Sequence, residues 1–169
     1  MASVDRPPIE MRLALLTIVT SGADPLSSTL RAVGFIYEDG EPIVYLATGR
    51  DGESRALGRL LREVREWDLL LTWGSDTVQF ITSRALHHGL DIIPLLEVMH
   101  FDLRHYVLVK LGLADKRLEE VASFLHVRSG RRNKSMDVRL RCHKDLILLH
   151  GLFKKLRPLL RWTNPELVL

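Results

Sequence analysis

The run Met11-Arg-Leu-Ala-Leu-Leu-Thr-Ile-Val-Thr20 is apolar at almost every position and is cut off by Ser21-Gly22-Ala23-Asp24-Pro25. It is far too short to cross a bilayer as a helix. A brief, continuous apolar run bounded by turn residues fits a strand buried on both faces. Such a strand needs cover on each side, which only a layered arrangement of sheet and helices provides. Leu30–Tyr37 alternates as a second strand, Glu38–Glu41 supplies a turn centred on Asp39-Gly40, and Pro42–Ala47 follows as a third. Together these predict a three-stranded antiparallel meander.

Helical spacing then takes over. Leu57, Leu60, Leu61 and Val64 share one face of a helix expected from about Glu53 to Glu66. Trp67–Trp73 reads as a central strand, and a helix from about Asp76 to His88 stops at Gly89. Ile92–Phe101 is expected to hold a short strand or a loop. Helices over Asp102–Leu111 and Lys116–His126 are joined by a turn at Leu113–Asp115. A basic loop, Val127–Ser135, leads into a long helix over Met136–Leu160. Residues 1–10, with Pro7-Pro8, are expected to be a loose arm, 11–161 one domain and 162–169 a tail. The fold class is α/β, with a mixed sheet that starts as the antiparallel meander and is flanked by helices.

Composition narrows the function. Apolar residues make up 46% and charged residues 27% of the 169, the balance of a soluble globular chain. No apolar stretch suggests a membrane span or a signal peptide, so a cytoplasmic protein without a membrane partner is expected. The lone Cys142 rules out an internal disulfide and a thiolate-rich metal site, and reads as a small core residue. His87 and His88 point about 100° apart on a helix, and His143 and His150 are two turns apart, so neither pair suits a metal. Asn133, Asn164 and Gln79 are the only amides, a depletion typical of proteins from hot environments.

Charge is unevenly spread. Met1–His126 carries 13 Lys and Arg against 18 Asp and Glu, whereas Val127–Arg161 carries 11 against 2. Basic charge gathered on one element is the footprint of a polyanion binder. A solvated basic helix face is the competing explanation.

Two segments carry a resemblance. Trp67–Leu90 (WDLLLTWGSDTVQFITSRALHHGL) has a strand, a Gly turn with an acid, and a helix with an Arg-Ala pair that closes on Gly. His100–Val127 (HFDLRHYVLVKLGLADKRLEEVASFLHV) has a His-Phe-Asp-Leu run, a helix and a Leu-Glu-Glu-Val-Ala-x-Phe-Leu segment. Both resemble the 3′–5′ exonuclease domain of family B DNA polymerases, within the DEDD exonuclease superfamily. The likeness spans most of Met11 to about Leu160 and implies a ribonuclease H-like fold. It also implies two divalent metals held by carboxylates: an Asp-x-Glu on the first strand, an Asp after the fourth strand, and an Asp on the last helix. A Tyr or His shortly before that last Asp positions the attacking water in such enzymes.

Matched position by position, most of that chemistry is missing. The first-strand acids fall on Thr17 and Val19. The second-motif Asp falls on Asp76 or, in another register, on Gln79, and Asp76 is equally placed for an ordinary helix N-cap. On the last helix Asp145 is kept, while Arg141 stands where the Tyr belongs. Asp24 lies in the breaker and Asp102 is not a metal ligand in the family, so neither substitutes. With Asp76 and Asp145 as vestiges, a site for magnesium or manganese is left short of anionic oxygen ligands, and Arg141 adds repulsion. The expectation is a pseudo-exonuclease without a cofactor.

Three functional readings follow. The first is a catalytically silent nucleic-acid binder, acting on DNA more than RNA, as an accessory factor in replication or repair. It would use Arg128, Arg131, Arg132, Lys134, Arg139 and Arg141 on backbone phosphates. The second is a scaffold for a polymerase or nuclease partner, or a homodimer, with Glu166–Leu169 as a docking segment. The third is an active magnesium- or manganese-dependent exonuclease that recruits a further acid beside Asp76 and Asp145.

Overall fold

A computed structural model describes residues 11–113, 116–128 and 137–163, with side chains described through Leu160. Five strands form one sheet: β1 (Leu13–Thr20), β2 (Leu30–Tyr37), β3 (Ile43–Leu46), β4 (Leu69–Thr72) and β5 (Met99–Asp102), in the order β3-β2-β1-β4-β5. β1 is central. It pairs antiparallel with β2, which pairs antiparallel with β3, while β1–β4 and β4–β5 are parallel. The mixed sheet that opens with a meander is therefore what the chain forms.

The apolar run becomes β1 because both of its faces are covered. Leu13 and Leu15 pack with Leu146, Leu149, Leu152 and Phe153 of the long helix α6 (Val138–Thr163). Ala14 and Leu16 pack on the other side with Leu57, Leu60 and Leu61 of α1 (Gly52–Val64). The α1 side is completed by α2 (Asp76–His87) and α3 (Ile93–Glu97), and the α6 side by α4 (Leu103–Leu111) and α5 (Leu118–Phe124). Burying one such leucine contributes about 1.5–3 kcal/mol, so the two faces of β1 alone anchor both layers.

Gly34 sets how closely α6 approaches. It pairs with Thr17 across β1 and β2. A Cβ at Gly34 would sit 2.8 Å from both Cys142 Sγ and Leu146 Cδ1. The bare backbone lets α6 descend onto the sheet there, and that descent brings Arg141 and Asp145 to the end of β1. Further along α6, His150 Nε2 donates to the Glu38 carbonyl at 2.6 Å, and Arg157 pairs with the Glu38 carboxylate. Both clamp the helix to the turn after β2.

Several boundaries differ from the sequence reading. Trp67 precedes β4 and packs in an aromatic group with Phe35 and Tyr37, its Nε1 donating to Tyr37 Oη at 3.1 Å. Ile92–Phe101 holds a helical turn, α3, as well as the strand β5. Asp91 Oδ1 accepts from the Ile93 N–H, and Pro94 sits in the first turn, where a missing N–H costs nothing. α6 continues to Thr163, past the expected end at Leu160, even with Pro158 inside it. The expected arm at 1–10, residues 114–115 of the 113–115 turn, residues 129–135 of the 127–135 loop, the expected helix start at Met136 and residues 164–169 of the tail lie outside the described residues.

Candidate functional site

β1 and β4 run parallel, and beyond their C-terminal ends lies a cleft of about 820 Å³. Crevices outside the carboxyl ends of strands, where strand order changes direction, are where open α/β sheets bind ligands. From β1 and the turn after it come Thr17, Thr20 and Gly22. The β4–α2 region gives Trp73, Asp76 and Thr77, and α6 gives Arg141 and Asp145. Arg104 of α4 and the segment Lys116–Glu120 close the remaining side.

The turn that presents Asp76 is held by residues of the His-Phe-Asp-Leu run. Gly74 adopts φ 95°, in the left-handed region, and its N–H donates to Asp102 Oδ1 at 3.0 Å. Asp102 also caps α4 by accepting from the His105 N–H at 3.1 Å. Thr72 Oγ1 gives its single proton to the Gly74 carbonyl at 2.7 Å, so in the 2.7 Å contact with His100 the imidazole Nε2–H is the donor. Burial holds the His100 pKa below the ordinary imidazole value, against the opposing charge of Asp102. A neutral imidazole with its proton on Nε2 satisfies the hydroxyl. Asp102 is thus a turn and helix-cap residue.

Thr17, Asp76, Arg141 and Asp145 meet in one cleft. Val19 does not join them. It is buried beside Ala32 and Cys142, between the sheet and α6. Gln79 is exposed on α2 and absent from the lining, so of the two registers Asp76 is the one that faces the cleft. Ser75 takes the N-cap position of α2, so Asp76 is not the ordinary N-cap it was equally placed to be. Asp76 instead lies in the first helical turn. A Cβ at Gly74 would collide with Asp76 Oδ1 and lie 3.5 Å from Arg104 Nη1, so both groups crowd the same point.

Asp145 is buried, and its charge joins burial in raising the neighbouring Cys142 thiol to about 12. Cys142 is the core residue expected. The paired histidines do not form a ligand set: His88 Nε2 bonds Glu53 Oε2 at 2.7 Å, and the His87 ring stands edge-on to it. Among the described residues, no three His, Cys, Asp or Glu side chains come together as a metal ion would require. The described residues therefore do not fit a two-metal centre.

Of the expected phosphate-binding cations, Arg141 lines the cleft, while Arg128 and Arg139 are exposed outside its lining. Arg131, Arg132 and Lys134 lie outside the described residues. The sequence reading missed Arg104, Lys116 and Arg117, which the fold brings to the same cleft. Lys116-Arg117, directly before α5, was a visible basic pair, but it sits in a segment that is acidic overall. Glu119 and Glu120 were missed as well. Glu120 Oε2 accepts from the Arg117 N–H at 2.9 Å and so is engaged in starting α5.

Comparison with solved structures bears on the fold. The chain superposes on the family B DNA polymerase from the hyperthermophilic archaeon Pyrobaculum calidifontis with a TM-score of 0.66, at 19% identity over 89% of its length. The fold is ribonuclease H-like. Exonuclease I in a product-bound structure gives a TM-score of 0.55 at 13% identity over 90% of the chain. E. coli exonuclease I in complex with a dT13 oligonucleotide gives 0.55 at 14% over 90%. The chain spans a quarter of the polymerase (25%) and less than half of exonuclease I (45% and 43%). No protein-family model and no curated protein matches it by sequence. Among the described residues, no helix of this ribonuclease H-like domain is long and apolar enough to cross a membrane.

Proposed function

We propose that this chain is a ribonuclease H-like protein that binds a nucleic-acid strand without hydrolysing it, DNA in preference to RNA, as an accessory factor in replication or repair. The observation that carries the proposal is the set of side chains in the cleft. Thr17 stands where a metal-binding Asp is needed, Val19 is turned into apolar packing, and Arg141 lines the wall beside Asp145. A two-metal hydrolase needs clustered anionic oxygens to hold its ions. A guanidinium placed among them works against cation binding. It also suits the opposite task, gripping phosphate oxygens directly. The fold likeness to exonuclease I, seen in one structure with a dT13 oligonucleotide, supports a nucleic-acid ligand.

The competing reading is a metal-dependent exonuclease. What favours it is that Glu119 and Glu120 line the same cleft as Asp76 and Asp145. Against it, Glu120 is engaged at the start of α5, and among the described residues no three acids come together. Binding of labelled single-stranded DNA, duplex DNA and RNA across a salt series tests the proposal. Phosphate contacts make affinity fall steeply with salt. Salt-sensitive binding, strongest for a DNA strand, is expected. Absence of binding at low salt would overturn the reading.

A further inference from the structure

Arg141 on α6 and Lys116 and Arg117 before α5 converge on the cleft from two separate elements. All three side chains are exposed, and none has an ion-pair partner among the described residues. The cleft acids are differently placed. Asp145 is buried at the sheet side, Asp76 lies against Gly74 beside Arg104, Glu120 accepts from a backbone N–H, and Glu119 is half-buried in the same lining. Thr17, Thr20 and Thr77 add hydroxyl-bearing side chains to the same lining. Trp73, also in the wall, has a buried indole N–H with no acceptor among the described residues.

We propose that this cleft is a divalent-metal-independent phosphate site, in which Arg141, Lys116 and Arg117 hold the backbone of single-stranded DNA by direct charge-assisted hydrogen bonds. The inference rests on the nucleic-acid reading above and assigns it a place and a chemistry. The cleft has room for a short strand. A cleft of about 820 Å³ has the volume of a small-ligand site, room for a few nucleotides. Phe80 is buried in the cleft wall, and Trp73 is the one partly exposed aromatic in the lining, so stacking contributes little. Phosphate contacts without base readout give affinity with little sequence preference.

The test is fluorescence anisotropy with a short labelled oligo(dT), in EDTA and in Mg²⁺. Wild type is compared with Arg141→Glu, Arg117→Glu and the charge-matched control Lys154→Glu, an exposed site on α6 outside the cleft. Thermal melts establish that each variant is folded, as expected for exposed positions. The proposal expects binding undiminished by EDTA. It expects affinity to fall about tenfold or more in each cleft variant relative to Lys154→Glu, with a shallower salt slope. Cleft variants that match Lys154→Glu would overturn the site while leaving nucleic-acid binding intact. Binding that needs Mg²⁺ would overturn it too, by showing that a metal holds the phosphate. No binding by wild type under either condition would overturn the broader reading together with the site.

Discussion

Replacing Arg84 with methionine removes the main partner of Glu53, whose carboxylate is almost enclosed. Arg84 Nε and Nη2 donate to Glu53 Oε1 and Oε2 at 2.9 and 2.7 Å, and the Leu30 N–H and His88 Nε2 add contacts at 2.7 Å each. Arg84 Nη1 also donates to the Pro25 carbonyl at 3.0 Å, so the cluster ties α1 and α2 to the β1–β2 turn. The side chains are only 9% and 12% exposed, which removes most solvent screening. Burial by itself raises the Glu53 pKa, but the hydrogen bonds from Arg84, Leu30 and His88 outweigh it and lower the value from 4.5 to about 2. A depression of that size corresponds to about 3 kcal/mol of stability. Because the folded pKa is the lower one, this contribution is complete above pH 4.5 and is lost as pH falls towards 2.

Arg84→Met strands the carboxylate in its buried place, a loss of about 3–5 kcal/mol. At about 2–4 °C per kcal/mol for a chain this long, the melting temperature at pH 7 should drop by about 6–20 °C. With Arg84 gone, burial is opposed only by the Leu30 and His88 bonds, so the Glu53 pKa moves up from about 2 and the deficit shrinks as pH falls. Adding Glu53→Gln should restore part of it at pH 7. Circular-dichroism melts at both pH values read all of this. A loss no larger than that of Arg12→Met, whose partner Glu66 is 64% exposed, would refute the reasoning. So would a deficit that ignores pH.

Two further outcomes follow from the packing beneath the cleft. Gly34→Ala should cost about 1–3 kcal/mol, because its Cβ meets Cys142 and Leu146, and should also weaken DNA binding by lifting Arg141; an unchanged melting temperature would contradict the close approach of α6. Cys142 is fully buried, and burial together with Asp145 raises its pKa to about 12, so native protein should resist iodoacetamide and react only when unfolded. Stoichiometric labelling of the folded chain would count against that burial.

The strands, and most of the helices, were legible because period-2 and period-3.6 patterns are written in local sequence. β1 announced a doubly covered strand through an unbroken apolar run, and Gly89 marked a helix end that it indeed occupies at φ 65°. α3 escaped because five residues do not complete a recognisable period, although Asp91 and Pro94 were start signals. Asp76 and Gln79 could not be separated on paper, since both fall at the head of one helix; only the direction of α2 decides which faces the cleft. Arg104, Lys116 and Arg117 were hidden by averaging, because charge density along the chain does not know which side chains topology will gather. Arg128 and Arg139, which density favoured, are exposed away from the cleft lining.

The most direct measurement incubates end-labelled single-stranded DNA with a large excess of protein in Mn²⁺, and scores both the bound fraction and the length of the DNA. Wild type and Asp145→Asn are run side by side. The account predicts bound DNA of unchanged length with both proteins. Shortening by wild type that Asp145→Asn abolishes would contradict it, and would make the cleft acids a working metal site.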